Sequence, residues 1–379
     1  MAEEKKDVGG MAKREKNREE ILKRIGKFAD GLIDEIDKNE NPHIDIPVRG
    51  SSNVAFDEKN KKIVLGDKVA KRYLFNVSHA RRFMQTMLVA SYVKKDLLEN
   101  NLTATLRDLY YAKKRTIHGT REDTIDEQKE SDLAIVDFEV ALDTFREMLH
   151  LRAEPKGRMA GTMRIKDFVR DRESIIDLAK LGSGGLAIPS IVEQIEFIDH
   201  DLDYVLVAEK NAIFDRLNED EYWKKNKCLL MTTAGQAARG ARRLLQRLSE
   251  ELKIPIYCLT DADPYGWYIY STMKYGSMAL AHESGRLGCK EMKFLGMSIS
   301  DIEHYDLKAV TIKAKEVDIK RAQEMKAYDW FKPKEWQKEI DKFLDKKIKA
   351  EIQALSSKNL QYISKTYLPE KIANKDFLP

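Results

Sequence analysis

The 379-residue chain has few cysteines and no long apolar run. Its three cysteines, Cys228, Cys258 and Cys289, lie about thirty residues apart without a CxxC pair, which argues against a zinc ribbon and a disulfide framework. No window approaches the roughly 18 consecutive apolar residues of a membrane span, and the charged N-terminus lacks the apolar core of a signal peptide. We therefore expect a cytoplasmic protein with no membrane partner.

The chain also has little net charge, +4 at pH 7, so its overall charge is weak evidence for a nucleic-acid partner. The distribution of charge is more informative. Residues 66–118 contain eleven Lys or Arg against four Asp or Glu, whereas residues 119–140 contain two against eight. This segregation indicates a basic face beside an acidic loop, although an ordinary solvated surface would explain it equally well.

The first 68 residues are expected to form an N-terminal arm. Residues 1 to about 18 are rich in Lys and Glu, which favours a disordered tail. Apolar residues then recur at helical spacing from Ile21 to Ile36, which predicts an amphipathic helix that packs on a neighbouring domain or a partner chain. Two short strands are predicted at 43–48 and 62–65.

Residues 69–163 have the element order of a winged helix-turn-helix domain. A first helix is predicted from its N-cap Ser78 to about Leu98, and Thr103 or Thr105 can cap a second. A third helix is predicted over 133–151, and the glycines of 152–163 indicate a hairpin or wing.

Residues 164–200 are interpreted as a connector. Their Gly182-Ser183-Gly184-Gly185 run is not followed by Lys and Ser/Thr, so it is not a P-loop. If the function needs ATP, another chain must bind it.

Apolar strands alternate with helices over residues 201–379. Strands are predicted at 204–207, 228–231 and 255–259, and a long amphipathic helix runs from Trp336 to Ile348. This alternation predicts a mainly parallel sheet covered on both faces. The fold class is therefore α+β and multidomain, with an α/β domain and a C-terminal helical extension after the winged helix.

Three acids follow the carboxyl ends of two predicted strands, where ligands of open parallel sheets bind. Glu209 follows the first strand, and Asp261 and Asp263 follow the third. Clustered carboxylates repel one another unless a hard cation binds, and a set of oxygen ligands favours Mg²⁺. Each acid could instead cap a helix or begin a turn. Pro264 fits the first turn of a helix whose N-terminus would face a phosphate.

The segments Glu209-Lys210 and Asp261-Ala262-Asp263-Pro264-Tyr265-Gly266 resemble a Toprim domain, the magnesium-binding module of topoisomerases, bacterial primases and some nucleases. The second segment is similar, more narrowly, to the family that unites the meiotic double-strand-break transesterase with the A-type chain of topoisomerase VI. The segment from Thr105 to Tyr111 resembles the family's nucleophile segment, and the nucleophile aligns with Tyr111. The resemblance covers roughly residues 70–375.

The resemblance implies a type IIB DNA topoisomerase subunit that breaks duplex DNA and stays attached to the 5′ side through Tyr111. It also implies that Tyr111 of one protomer works with the magnesium-binding acids of the other, in a homodimer. A GHKL-type ATPase B subunit would complete an A2B2 complex on the nucleoid. Arg107, one helical turn before Tyr111, could favour the phenolate or hold the scissile phosphate.

Several basic residues are candidate contacts to DNA phosphates, which would give sequence-blind, salt-sensitive binding. For Lys210, an ordinary surface lysine is an equally good interpretation. The candidates are Lys210, Arg81, Arg82, Lys113, Lys114 and Arg115. Three rival functions stay open: a meiotic-type transesterase, a hydrolytic Toprim nuclease in which water attacks, and a non-catalytic winged-helix DNA-binding protein.

Overall fold

The computed structural model describes residues 4–169 and 172–379, with side chains from residue 15 onward except at residue 169. The chain divides into two compact units. One contains residues 1–53 and 65–154, and the other contains residues 54–64 and 155–379. Among the described residues, no helix is long and apolar enough to cross a membrane.

The first unit is mainly helical, and Leu97, Leu109 and Phe138 lie in its core. Ile21 and Ile25 of the first helix are buried in the same core, so the predicted amphipathic helix packs on its own chain. The helices are Glu4–Asp37, Val77–Ser91 with its π-helical continuation Tyr92–Leu98, Leu106–Lys113 and Gln128–Ala141. The strands are the antiparallel pair His43–Pro47 and Val69–Tyr73, and the parallel pair Ala104–Thr105 and Leu151–Arg152.

Two predictions near the start of this unit need correction. The first helix begins at Glu4, so residues 4–18 of the predicted disordered tail are helical. This agrees with the high helix propensity of Lys and Glu. Residues 1–3 lie outside the described residues. The next helix is capped by Asn76, not by Ser78, because the Asn76 side chain accepts a hydrogen bond from the Ser78 backbone N–H at 2.9 Å.

The third helix is shorter than predicted and begins earlier. It runs from Gln128 to Ala141 instead of over 133–151. Just past its end, Asp143 has a φ of 48°, a left-handed conformation that does not continue a right-handed helix. Residues 145–150 close in turns before the chain enters the Leu151–Arg152 strand.

The second unit is built on a six-stranded mixed sheet. Its four parallel strands lie in the order Cys228–Thr232, Tyr204–Ala208, Ile256–Leu259 and Lys293–Gly296, and the first two are buried along their whole length. The predicted alternation of strands and helices is confirmed here. The main helices of the unit are Asn211–Glu219, Arg239–Arg247, Pro264–Tyr275, Ile299–His304, Glu316–Ala327, Lys334–Lys346 and Leu368–Ala373.

The predicted wing at 152–163 is not a separate hairpin. Its strand Arg158–Ala160 pairs antiparallel with Cys228–Thr232 at the edge of the main sheet, and Leu186–Ala187 pairs beyond it. A Cβ at Gly157 would lie 2.3 Å from the Thr232 carbonyl oxygen, and one at Gly161 would lie 2.8 Å from the Cys228 carbonyl oxygen. Glycine is therefore needed at both positions because the backbone passes too close to the strand Cys228–Thr232 for a side chain to fit.

The predicted connector contains a three-stranded antiparallel sheet. Met163–Val169 lies between Ile195–His200 and Arg172–Asp177. Exposed charged residues occupy much of the outer strands, so the apolar alternation that identifies a strand in a sequence is weak here.

The helix predicted to reach Ile348 ends earlier, at Lys346. The next residue, Lys347, has a φ of 51°, and the strand Ile348–Lys349 then pairs with Ile312–Lys313.

A buried ionic contact fixes the C-terminal region. Further along, Lys371 Nζ lies 3.0 Å from Asp301 Oδ1, and the Tyr367 hydroxyl donates to Asp301 Oδ2 at 3.0 Å. Both charged side chains are buried.

Lys371→Met should destabilise the protein by about 3–5 kcal/mol, because it leaves the buried Asp301 carboxylate without its cation. Denaturant unfolding of the purified chain measures the change. Lys365→Met, at an exposed position two residues before Tyr367, is the matched control and should have little effect. Equal stabilities of the two variants would contradict the assigned role of the Asp301–Lys371 pair.

The helix Pro264–Tyr275 contains a buried lysine whose protonation gives a pH test. Burial lowers the pKa of Lys274 from 10.5 to about 8, and its Nζ donates to the Met292 carbonyl oxygen at 2.7 Å. Between pH 8 and 10.5 the unfolded chain therefore binds more protons at Lys274 than the folded chain. The stability of the folded state should rise with pH in that window.

Lys274→Met should remove this pH dependence. At pH 7 the variant should be more stable than the unsubstituted protein by about 1–3 kcal/mol, since the Met292 carbonyl still accepts from the Tyr270 hydroxyl. The difference should shrink as the pH is raised from 8 toward 10. Unfolding curves of both proteins at several pH values measure it, and a difference that does not vary with pH would contradict a charged, destabilising Lys274.

Candidate active site

Two neighbouring parallel strands bring three acids to one edge of the sheet. Tyr204–Ala208 and Ile256–Leu259 pair in register through Ala208 and Leu259, and Glu209 is the next residue of the first strand. The Glu209 backbone N–H donates to the Leu259 carbonyl at 3.0 Å, so the two strand ends stay paired up to the acids. Asp261 and Asp263 follow the second strand by two and four residues.

Glu209 is the least compensated of the three acids. One of its oxygens, Oε2, is buried and has no hydrogen-bond partner among the described residues. Burial, followed by repulsion from Asp261 and Asp263, raises the pKa of Glu209 from 4.5 to about 7. A backbone hydrogen bond from Asp261 and the charge of Lys210 favour the ionised form of Glu209, but they do not outweigh burial and repulsion.

Asp261 is held from two sides. Its Oδ1 accepts from the Ile352 backbone N–H at 3.0 Å, and its Oδ2 lies 2.6 Å from Lys210 Nζ. Burial raises the pKa of the Asp261 carboxyl even though both contacts favour the ionised form.

Asp263 begins the next helix, as its position before Pro264 predicts. As the N-cap, Asp263 accepts a hydrogen bond at Oδ1 from the Gly266 backbone N–H at 2.8 Å. Its other oxygen, Oδ2, lies 3.7 Å from Lys349 Nζ. A Cβ at Gly266 would lie 2.8 Å from the Asp261 carbonyl oxygen, so glycine is needed for the helix to start this close to the acids.

Sequence reasoning missed the C-terminal side of this site. Lys349, Glu351 and Ile352 contact the acids or Lys210, and Ala350 pairs with Ala262 of the acidic loop through backbone hydrogen bonds. These residues lie roughly ninety positions after Asp261 without a motif of their own. No signal in a single sequence would have associated them with the acids.

The three carboxylates fit a divalent metal ion. Among the described residues, Glu209 Oε2 has no hydrogen-bond partner and Asp263 Oδ2 has one ammonium group at 3.7 Å, and the ligand atoms that the three acids offer are all oxygens. Hard oxygen ligands and an excess of negative charge suit Mg²⁺ better than a softer metal.

Tyr111 lies in the first unit, on the helix Leu106–Lys113. A capping box fixes the start of this helix, since the Thr105 side chain accepts from the Asp108 N–H and the Asp108 side chain accepts from the Thr105 N–H. Tyr110 is anchored, because its hydroxyl donates to the Asp126 carbonyl at 3.1 Å. The Tyr111 side chain is 63% exposed. Of the two adjacent tyrosines, Tyr111 is therefore the accessible one.

Most of the candidate DNA-contact residues are engaged within the chain. Arg81 pairs with Asp126 and Glu130, Arg82 pairs with Asp137, and Lys113 pairs with Asp96. Lys114 donates to the Tyr110 hydroxyl at 3.0 Å, and Lys210 pairs with Asp261. Arg107 and Arg115 are exposed and have no ion pair within the described part of the chain.

The glutamate after one parallel strand and the Asp-x-Asp after its neighbour lie in a Toprim domain of the topoisomerase class. Residues 204–372 match the family model for the Toprim domain of Spo11 and of the topoisomerase 6 A subunit. Residues 81–151 match "Type IIB DNA topoisomerase", and residues 154–201 match "All-beta domain in DNA topoisomerase VI alpha subunit". The last range contains the three-stranded sheet.

Curated relatives match along nearly the whole chain. The A subunit of type 2 DNA topoisomerase 6 from Pyrococcus abyssi is 44% identical over 371 residues, which is 95% of this chain and 96% of the relative. The corresponding protein of Hyperthermus butylicus is 46% identical over 364 residues, covering 92% and 93%. That of Methanocaldococcus jannaschii is 35% identical over 364 residues, covering 95% and 96%. The chain belongs to the topoisomerase VI A-subunit family, and it is a type IIB DNA topoisomerase subunit.

Gly266→Ala should weaken divalent-metal binding, because the added Cβ would push against the Asp261 backbone and displace the acidic loop. We expect a loss of about tenfold or more in Mn²⁺ affinity, roughly 1.4 kcal/mol. Gly285→Ala is the control, since its Cβ would meet only Lys62 Nζ, at 3.6 Å. Titration of both variants with Mn²⁺ measures the effect, and equal affinities would contradict a required glycine at 266.

Proposed function

We propose that this subunit makes transient double-strand breaks in duplex DNA by reversible, Mg²⁺-dependent transesterification. The Tyr111 hydroxyl gives up its proton and its oxygen forms a bond to the scissile phosphorus, which stays attached to the 5′ oxygen. The bond from phosphorus to the 3′ oxygen breaks, and the 3′ oxygen takes up a proton. One phosphoester replaces another, so the reverse attack by the 3′ hydroxyl rejoins the strand without fuel.

The observation that carries this proposal is the contrast between Tyr110 and Tyr111. Tyr110 uses its hydroxyl inside the first unit, whereas the Tyr111 phenol is exposed on a helix with a fixed start. A phenol is mostly un-ionised at neutral pH. Arg107, exposed one helical turn before Tyr111, would favour the phenolate or hold the scissile phosphate.

The Toprim acids would hold the metal. Glu209, Asp261 and Asp263 would provide oxygen ligands for Mg²⁺, which would offset negative charge on the scissile region or on a neighbouring phosphate. The unpartnered Glu209 oxygen supports this assignment.

We propose that the three helices over residues 77–141 serve as a winged-helix-type DNA-binding domain. Arg107 and Arg115 are the most available phosphate contacts, since both are exposed. Arg81, Arg82, Lys113, Lys114 and Lys210 would have to exchange their internal partners for phosphates. The resulting binding should be insensitive to sequence and weaken as salt rises.

The chain would act as a homodimer with an ATPase partner of the GHKL type, in an A2B2 complex associated with the nucleoid in the cytoplasm. Tyr111 of one protomer would work with the acids of the other. The relatives are all named as A subunits of a type 2 topoisomerase 6, which supports the existence of a partner subunit. Their names also favour a topoisomerase over a meiotic-type transesterase.

Covalent trapping tests the nucleophile. The A and B subunits are mixed with an ATP analogue, Mg²⁺ and end-labelled duplex DNA and then denatured with SDS. Label should stay on the polypeptide, fall to background with Tyr111→Phe and with Glu209→Ala, and be retained with Tyr110→Phe, the matched control.

Other outcomes distinguish the rival functions. Broken DNA without attached protein would identify a hydrolytic nuclease, in which water attacks. Tight DNA binding without any break, in a complex whose ATPase subunit is active, would identify a non-catalytic DNA-binding protein. Loss of label with Tyr110→Phe alone would move the nucleophile to Tyr110.

A further inference from the structure

The Lys210 ammonium group is enclosed by three side-chain oxygens. Its Nζ lies 2.6 Å from Asp261 Oδ2, 3.0 Å from Glu351 Oε2 and 3.2 Å from Gln353 Oε1. An ammonium group has three N–H donors, so these contacts use its full donor capacity. Lys210 is therefore a built part of the acidic site rather than a free surface lysine.

A second lysine contacts the other side of the same site. Lys349 Nζ lies 3.1 Å from an Asp318 oxygen and 3.7 Å from Asp263 Oδ2. Five carboxyl groups surround the two ammonium groups. When all five carboxyl groups are ionised, the cluster has an excess of three negative charges. The lysines thus offset only part of the charge. The carboxyl groups are those of Glu209, Asp261, Asp263, Asp318 and Glu351.

The two oxygens of Asp261 have different partners. Oδ1 accepts from the Ile352 backbone N–H, a bond that fixes the carboxylate relative to the C-terminal segment. Oδ2 is the oxygen left for a cation, and Lys210 holds it at 2.6 Å. A metal ion that bound this oxygen would meet a positive charge in direct contact with it, and two cations at such a distance repel each other.

We propose that Lys210 is an internal counter-cation that holds Asp261 in the metal-free chain and competes with the divalent metal for the Asp261 Oδ2 oxygen. The inference rests on the proposed function, because it needs a metal at these acids. It assigns Lys210 a role different from a permanent phosphate contact. It also explains how buried carboxylates can stay together in a chain that has not yet bound metal.

Charge competition by Lys210 and simple positioning of Asp261 have opposite effects on metal binding. If Lys210 competes with the metal, a neutral residue at 210 should tighten metal binding. If Lys210 only positions Asp261, the same change should weaken metal binding. The two roles therefore predict opposite signs for one measured quantity.

Mn²⁺ binding to the full-length chain, followed by the electron paramagnetic resonance signal of free Mn²⁺ at constant ionic strength, tests the sign. Lys210→Met should bind Mn²⁺ about three- to tenfold more tightly than the unsubstituted chain. Lys210→Arg keeps the charge and should stay close to the unsubstituted chain. Lys358→Met changes the net charge equally at a lysine that pairs with Asp306 instead of with the acids, and should leave the affinity unchanged.

Thermal unfolding gives a second readout. Without metal, Lys210→Met should have a lower Tm because the carboxylates lose their internal cation, and Mn²⁺ should raise its Tm more than that of the unsubstituted chain. If Lys210→Met does not fold, Lys210→Gln, which is neutral but keeps N–H donors, repeats the measurement.

Glu209→Gln separates failure of this inference from failure of the proposed metal site. Weaker or equal Mn²⁺ binding by folded Lys210→Met, with binding still lost in Glu209→Gln, would overturn the counter-cation role alone. No Mn²⁺ binding by the unsubstituted chain, or undiminished binding by Glu209→Gln, would overturn the metal site and the inference together.

Discussion

Repulsion among carboxylates at one sheet edge is the constraint on which the second unit depends. Parallel pairing of Tyr204–Ala208 with Ile256–Leu259 forces Glu209 and Asp261 together, and the burial of Asp261 and of Glu209 Oε2 excludes water that would otherwise screen their charges. Burial, followed by repulsion from Asp261 and Asp263, raises the pKa of Glu209 to about 7. A fold that keeps these acids close must supply compensating groups nearby, or leave the charge for a bound cation to offset.

Lys210 and the C-terminal segment share that compensation. The Ile352 N–H binds Asp261, Lys349 lies beside Asp263, and the Ala262–Ala350 bridge keeps the segment against the acidic loop. The segment after it is in turn anchored by the buried Asp301–Lys371 pair. A buried ion pair adds little net stability but is costly to break, so it suits a contact whose purpose is to fix a position. The site is thus held by residues from both ends of the Toprim domain.

The sequence correctly predicted the elements that neighbouring residues determine, namely the buried strands and the start of the helix after the acids. The buried strands at 204–208, 228–232 and 256–259 are apolar runs, and Asp263 before Pro264 has the chemistry of a helix N-terminus. Two of the failures depended on long-range packing. The glycines at 157 and 161 are typical of a hairpin, but they serve a close approach to strand Cys228–Thr232, and the role of Lys349 depends on a contact with Asp263, far away in sequence. Both are decided by tertiary contacts that a single sequence does not reveal.

The proposed nucleophile, Tyr111, lies on a helix that is firmly attached to the core but leaves the side chain exposed. Leu109 is fully buried and ties the helix to the core, while the Thr105–Asp108 capping box fixes its first turn. Tyr110 adds a third attachment through its bond to the Asp126 carbonyl. These contacts restrain the backbone and leave the Tyr111 phenol exposed, with its ring centroid 4.9 Å from that of Tyr110. The neighbouring Tyr110 is therefore part of the support, so under the proposed function the Tyr-Tyr pair combines one structural and one reactive phenol at adjacent positions.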